Sequence, residues 1–102
     1  MTLSSLNKYG PAFQIKVIHS LLERKEFLTN IHDILDSSYF DNQAHKWIID
    51  EILKYYSEYH TTPTPEVLKA EYEKVSNDVL KVSIREQLRE AYKIISTDSE
   101  YI

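Results

Sequence analysis

Apolar and polar residues alternate along most of the chain with the period of a helix, which predicts helices joined by short connections. A first helix is expected after Gly10-Pro11, because a first-turn proline lacks only an N–H that the helix would leave unpaired. Its apolar stripe consists of Phe13, Val17, Ile18, Leu21 and Leu22. A second helix is predicted from about Lys25 to Leu35. Its buried face consists of Phe27, Leu28, Ile31, Ile34 and Leu35.

The longest clear helix is predicted from about Gln43 to Tyr59. Either Asp41 or Asn42 can cap it, because a short polar side chain accepts hydrogen bonds from the first free backbone amides. We expect it to end between His60 and Pro63, because the residue before a proline is pushed away from helical geometry. Its broad apolar face consists of His45, Ile48, Ile49, Ile52, Tyr55, Tyr56 and Tyr59.

Two further helices are predicted after Pro63. Thr64-Pro65-Glu66 supplies an N-cap, a first-turn proline and a first-turn carboxylate for a fourth helix. That helix buries Val67, Leu68, Tyr72 and Val75. Ser76-Asn77-Asp78 caps a fifth helix. Its inner face consists of Leu80, Ile84, Leu88, Ala91, Tyr92 and Ile95. The sequence therefore predicts an all-α fold, a compact bundle of about five to six short helices.

The end of the sequence has the spacing of a capping box in Thr97-Asp98-Ser99-Glu100. We expect a further helix to begin at Thr97 and to be cut short two residues after Glu100. The expected organisation is an N-terminal tail at residues 1–10, a helical domain at residues 11–96, and the start of a truncated helix at residues 97–102.

Composition restricts the kinds of function that this chain can have. Its 102 residues fit one domain with one core. It has no cysteine, which excludes disulfides and thiolate metal sites and favours a reducing, cytoplasmic compartment. A net charge of −4 argues against direct nucleic-acid binding, so a small DNA-binding module is the least favoured alternative. No apolar run approaches the length of a membrane span, and no membrane partner is expected.

The sequence contains no arrangement of residues that predicts catalysis. Gly10 is the only glycine, whereas a phosphate loop needs several, so no cofactor-binding site is expected and we predict that the chain is not an enzyme. Neither an H-E-x-x-H motif nor a pair of histidines four apart is present, which argues against a metal site. His45 lies within an apolar face, so we expect it to be buried and hydrogen-bonded to a backbone group or a carboxylate. His19 and His60 are expected to be solvated.

Aromatic residues are the candidates for an interface. Trp47 falls on the polar side of its helix, where it either anchors a partner or is covered by a neighbouring part of the chain. The tyrosines at the end of that helix either form the rim of the core or an interface patch. The selected interface candidates are Trp47, Tyr55, Tyr56 and Tyr59. The core that positions them should include Phe13, Val17, Leu21, Phe27, Ile31, Phe40, Ile48, Ile52 and Leu68.

Several segments occur in a characteristic order. They are VIHSLL at residues 17–22, the pair Tyr39-Phe40, Ala44-His45 followed by Ile48-Ile49-x-x-Ile52, and the capped turn from Thr62 to Leu68. Over about residues 12–95 this order resembles the N-terminal domain of DnaB-type replicative helicases. The segment from Tyr59 to Thr64 looks most like the helicases of T4-type phages. One departure is His19, where the bacterial proteins usually carry glycine.

This resemblance implies a helical domain that is attached, in the parent protein, to a RecA-like motor that binds ATP and Mg²⁺. In that family the domain helps to form the collar of a hexameric ring and contacts primase within the primosome. A helical hairpin normally follows it, and here would begin near Thr97. The expected function is therefore ring assembly and primase docking in DNA replication, in the cytoplasm of the phage's host. A free-standing helical adaptor unrelated to replication is the alternative.

Overall fold

The computed structural model describes residues 10–100 and the side chains of residues 12–93. In this part of the chain lie α1 (Gly10–Glu23), α2 (Lys25–Ile31), α3 (Gln43–Tyr59), α4 (Pro65–Tyr72) and α5 (Asp78–Glu100). A short 3-10 helix, Ser37–Tyr39, lies between α2 and α3. The predicted all-α bundle is confirmed. No described helix combines the length and the apolar character that crossing a bilayer would require.

The core lies where α1, α3 and α5 pack on one another, with α2 against α1 and α4 against α5. Five of the predicted core residues are buried: Leu21, Phe40, Ile48, Ile52 and Leu68. The other four, Phe13, Val17, Phe27 and Ile31, are half-buried and pack against this cluster. The apolar stripes read from the sequence therefore identify the surfaces on which the helices meet.

Both ends of α3 are fixed by identifiable contacts. At its start the side-chain oxygen of Asn42, not of Asp41, accepts from the N–H groups of Ala44 at 2.7 Å and His45 at 3.3 Å. At its end His60 has the left-handed backbone angles φ 58° and ψ 33°, and its N–H donates to the carbonyl of Tyr56 at 2.7 Å. The helix is therefore ended by His60, before the restriction that Pro63 places on the preceding residue can act.

The second helix is shorter than predicted, because α2 ends at Ile31 and not at Leu35. The N–H groups of Ile34 and Leu35 both donate to the carbonyl of Ile31 at 3.0 Å, which turns the chain. Leu35 then enters the core, while Ile34 is 56% exposed. The prediction that Ile34 is buried was wrong, because helical periodicity no longer decides which side chains face the core once the helix has ended.

The caps of the last two helices are confirmed. The hydroxyl of Thr64 accepts from the N–H of Val67 at 3.3 Å, and the side-chain oxygen of Asn77 accepts from the N–H of Leu80 at 2.9 Å. On the outer face of α5, Arg89 lies 3.8 Å from Glu86, one helical turn earlier.

The backbone differs from the expected organisation near residue 97. α5 continues unbroken through Thr97 to Glu100, so no new helix begins at Thr97. The T-x-x-E spacing is compatible with a helix interior, and neither proline nor glycine interrupts residues 78–100. Except for Gly10, which opens α1, the predicted tail at residues 1–10 lies outside the described residues, as do residues 101–102.

Candidate interaction groove between α3 and α4

The N-terminal half of α3 contains a buried polar cluster around His45. The Nε2 atom of His45 lies 2.7 Å from Oε1 of Gln87, and its Nδ1 atom lies 3.3 Å from Oε1 of Gln14. The ring of Phe40 meets the imidazole edge-on, with 6.4 Å between centroids. Burial lowers the pKa of His45, and the hydrogen bond to Gln87 opposes this only in part, so the neutral ring is favoured. A neutral ring donates from one nitrogen and accepts at the other, so one glutamine presents its amide oxygen to the ring and the other presents its NH₂ group. The prediction of a buried histidine is confirmed, but its partners are glutamine amides rather than backbone or carboxylate groups.

His19 is buried, at 8% exposure, so the prediction that it is solvated was wrong. Its Nε2 atom lies 2.9 Å from a carboxylate oxygen of Glu23, one helical turn later. α1 contacts α2, α3 and α5, so the covered part of its circumference is wider than one apolar stripe. Gln14 is buried on α1 for the same reason. His60 is exposed, as predicted.

The structure separates the three tyrosines proposed as interface residues. Tyr55 and Tyr59 stand together, with ring centroids 4.5 Å apart, and Tyr59 is 60% exposed. Tyr56 points elsewhere and is buried, with its hydroxyl donating to the hydroxyl of Thr29 at 3.2 Å. Its ring also lies 4.7 Å from that of His32. Tyr55 and Tyr59 are therefore presented as one aromatic surface, while Tyr56 packs within the chain.

Trp47 is half-buried and packs against the core. It lies one helical turn before Glu51 on α3, outside the group of residues that line the groove described next. Part of its ring is therefore covered by the chain itself, and the remainder is surface. The structure does not gather Trp47 with the tyrosine pair.

A groove of about 390 Å³ lies between the C-terminal half of α3 and α4. Pro63 and Leu68 are buried beneath it, and Tyr55 and Tyr59 stand on its α3 side. The complete lining is Glu51, Lys54, Tyr55, Glu58, Tyr59, Pro63, Val67, Leu68 and Glu71. The groove therefore combines an apolar base with an aromatic wall and a charged rim, which is a common composition for binding sites.

The charged rim of the groove is predominantly acidic. Glu51, Glu58 and Glu71 contribute carboxylates, and Lys54 is the one lining cation among the described residues. Lys74, beside the groove, lies 3.3 Å from Glu71. Burial raises the pKa of Glu51, and the neighbouring carboxylates of Glu71 and Asp50 add to the rise, while Lys54 and Lys74 oppose it. The groove thus holds a carboxylate whose charge its own surroundings do not fully compensate.

A second, shallower groove of about 300 Å³ lies between α4 and α5 and has the opposite charge. Lys69, Arg85 and Arg89 line it. Tyr92 also lines it, and its buried hydroxyl has no hydrogen-bond partner among the described residues. Burial, with a smaller contribution from Glu66, raises the pKa of Tyr92 to about 12. The two sides of α4 therefore border an acidic groove and a basic one.

Of the nine residues that line the acidic groove, the sequence analysis selected two. It selected Tyr55 and Tyr59, but it missed Glu51 and Glu58, although both lie three or four residues from Tyr55 and so share its side of α3. The α4 side carried no signal, because its position depends on the turn between the helices. The described residues hold no group of three or more histidine, cysteine, aspartate or glutamate side chains placed to bind a metal ion.

The chain matches none of the protein-family models, curated proteins or solved structures with which it was compared.

Proposed function

We propose that this chain is a non-catalytic docking domain of a DnaB-type replicative helicase of a T4-type phage, acting in the cytoplasm of the host. The observation that carries the docking role is the groove between α3 and α4, where Tyr55 and Tyr59 stand over a buried apolar base. Tyrosines are enriched where proteins meet, because a rigid ring buries a large area at a small cost in conformational entropy. Tyr55, Tyr59 and the uncovered part of Trp47 are the proposed contact residues.

The helicase assignment is supported by the residues that carry the resemblance. Along the chain, the apolar helix α1 and the short helix α2 precede an aromatic turn, a helix with a histidine in its first turn, and a capped helix after a proline turn. The resemblance rests on this order. Phe40 and His45 contact each other in the core, and Thr64 caps α4. These residues therefore serve folding, as expected of a likeness between domains rather than between catalytic sites.

In this proposal ATP-driven unwinding belongs to a RecA-like motor elsewhere in the parent protein. The chain has a single glycine, Gly10, and no phosphate loop of its own. ATP and Mg²⁺ would bind to that motor, and neighbouring helicase subunits and primase would be the partners of this domain. Its contribution would be positional, through surfaces that hold a partner near the motor.

The coding DNA beyond the codon of Ile102 tests the helicase assignment. A reading frame that continues into a glycine-rich phosphate loop ending in Lys-Ser or Lys-Thr is the expected result. A stop codon directly after Ile102 would contradict it and favour the alternative, a free-standing helical adaptor that uses the same groove.

The docking role is tested by titrating ¹⁵N-labelled chain with the primase of a T4-type phage. We expect chemical-shift changes concentrated at Tyr55 and Tyr59, and weaker binding by Tyr59→Ala. Ile34→Ala is the matched control, since Ile34 is also an apolar side chain, 56% exposed, and does not line the groove. Equal effects of the two variants, or shifts that avoid the groove, would contradict the proposed surface.

The assembly state provides a further test. The resemblance implies that a helical hairpin carries much of the packing between subunits. We therefore expect this chain alone to be monomeric or weakly dimeric by light scattering. A stable hexamer of this chain would contradict that expectation.

A further inference from the structure

The groove between α3 and α4 has room for one long side chain and for the backbone on either side of it. Its volume is about 390 Å³, and its base is formed by the buried residues Pro63 and Leu68. Val67, half-buried, contributes to its α4 side. An occupant must therefore have an extended apolar stem that can lie against these residues, followed by a polar end that reaches the rim.

The aromatic wall favours a flat, cationic end on that side chain. Tyr55 and Tyr59 form a tilted pair with 4.5 Å between ring centroids, and Tyr59 is 60% exposed. An exposed tyrosine face attracts cations through the negative charge of its π-system. A guanidinium group gains more from such a face than an ammonium group does, because it is planar and more weakly hydrated.

The rim supplies the charge that would recognise such a group. Among the described residues, the groove is lined by three carboxylates, Glu51, Glu58 and Glu71, and by one ammonium group, that of Lys54. Glu71 already has Lys74 at 3.3 Å. Glu51 is half-buried and accepts no hydrogen bond from any described residue, and burial together with Glu71 and Asp50 raises its pKa. A bound cation would compensate this charge, and a carboxylate can hold a guanidinium group through two parallel hydrogen bonds.

We propose that this groove binds an arginine side chain presented by a basic segment of a partner protein. The guanidinium group pairs with the carboxylate of Glu51 and lies against the exposed ring of Tyr59, and its aliphatic stem covers Leu68. This inference rests on the proposed docking role of the groove, but it does not require the parent protein to be a helicase. An acidic segment would meet three carboxylates, and a purely apolar segment would leave the charge of Glu51 compensated only in part, by Lys54 and Lys74.

The test uses the chain and a set of blocked hexapeptides with the sequence Gly-Ser-X-X-Ser-Gly, where X is arginine, lysine, citrulline or glutamate. Binding is followed by ¹⁵N chemical shifts at low salt and again at about 0.2 M salt, where surface electrostatic attraction is largely screened. We expect the arginine peptide to shift the resonances of Tyr55, Tyr59 and Leu68, and to bind more weakly at the higher salt. The lysine peptide should bind several-fold more weakly. Citrulline has the shape of arginine without its charge and should lose about tenfold or more in affinity.

Two variants test the assigned contacts. Glu51→Gln and Tyr59→Ala should each reduce the affinity for the arginine peptide by about tenfold, the effect of losing one strong contact. Glu90→Gln is the matched control, since it removes an exposed carboxylate of α5 that does not line the groove. Circular dichroism verifies that each variant is folded. A carboxyl ¹³C titration of Glu51 supplies an independent readout, because its pKa should fall when the arginine peptide binds.

The inference is overturned if citrulline binds as well as arginine, or if Glu51→Gln keeps its full affinity. It is also overturned if the peptide shifts resonances outside the groove or none at all. These outcomes differ from a failure of the proposed function. If primase binds the groove and its affinity does not depend on an arginine side chain, the docking role stands and the arginine site is wrong. If arginine binds but the reading frame beyond Ile102 encodes no phosphate loop, the inference stands and the helicase assignment is wrong.

Discussion

Two ionisable side chains of α3, His45 near its start and Glu51 at its middle, are both disfavoured in their charged form by burial, but their surroundings differ. Burial disfavours the charged form of each, lowering the pKa of His45 and raising that of Glu51. His45 is fully buried and is held by two glutamine amides, Gln14 and Gln87. Glu51 lies at an open groove, and no described residue donates a hydrogen bond to it. The ring of His45, which is hydrogen-bonded within the chain, serves folding, whereas the carboxylate of Glu51, at the middle of α3, remains available to a ligand.

The largest expected loss of stability is at His45, whose ring is hydrogen-bonded within the chain. His45→Ala should lower the free energy of unfolding by about 3 kcal/mol, because it leaves a cavity and removes a hydrogen-bond partner from the buried Gln14 and the half-buried Gln87. Urea unfolding measures this change. Gln43→Ala is the control, since Gln43 is exposed in the same helical turn and its loss should change stability by no more than about 0.5 kcal/mol. Similar small losses of stability in both variants would contradict the folding role assigned to His45.

Trp47 lies between the two regions along α3 and should show an intermediate effect. The ring is half-buried against the core, so Trp47→Ala should cost about 2 kcal/mol in urea unfolding, less than a fully buried tryptophan would. A loss above about 4 kcal/mol would assign the whole ring to the core. An unchanged stability would assign it entirely to the surface.

The two pKa shifts predict opposite dependences on pH. The unfolded chain protonates His45 near its ordinary value of 6.5, while the folded ring resists protonation. The contribution of His45 is therefore present above pH 6.5 and is lost as the pH falls through its lowered pKa, at up to about 1.4 kcal/mol per pH unit. Glu51 has the opposite sign: its contribution is present below its ordinary value of 4.5 and is lost as the pH rises through its raised pKa.

Urea unfolding at a series of pH values measures both dependences. His45→Gln should flatten the profile below pH 6.5, and Glu51→Gln should flatten the fall in stability above pH 4.5. If neither variant changes its part of the profile, the electrostatic contrast between His45 and Glu51 is wrong.

A gain in stability is expected where α3 ends. His60 has a φ of 58°, a left-handed conformation that costs residues with a Cβ more than glycine. His60→Gly should stabilise the chain by about 0.5 to 1 kcal/mol after allowing for the greater freedom of glycine in the unfolded state. Ser57→Gly, one turn earlier within the helix, should instead destabilise it by about 1 kcal/mol. Thermal unfolding of the two variants should therefore show shifts of opposite sign.

The smallest effect on stability is expected in the groove. Tyr59→Ala removes a ring that is 60% exposed, so the free energy of unfolding should change by no more than about 0.5 kcal/mol. A clear loss of stability in urea unfolding would show that the tyrosine pair is part of the folding core. Tyr59 would then contribute to stability as His45 does.

The sequence predicted α3 well because independent signals agreed there. An N-cap residue, a sustained apolar stripe and turn-forming residues after Tyr59 all indicated the same bounds, and the structure has them at Gln43 and Tyr59. At α2 the apolar stripe continued through Ile34 and Leu35 although the helix ends at Ile31, because Leu35 reaches the core through a turn. Periodicity therefore placed Leu35 correctly and Ile34 wrongly, and it does not by itself report where a helix stops.

The groove and the polar cluster could not be predicted from the sequence, because both depend on how separate helices pack. His45 meets Gln14 and Gln87 across separations of 31 and 42 residues, so these partners depend on how three helices pack. The groove likewise joins Glu51 with Glu71, which lie on separate helices. Local patterns identified the tyrosines. The carboxylates beside them form the rim of a groove only because α4 lies opposite α3.

The left-handed residue at the end of α3 affects the width of the groove from outside its lining. His60 sets the direction in which the chain leaves α3, and only residues 61–64 separate it from α4, which forms the opposite wall. The backbone angles of His60, a residue outside the lining, therefore help to set where α4 lies and how wide the groove is, together with the packing of α4 on α5. A substitution at position 60 can retune what the groove accepts while every side chain that touches the ligand stays the same.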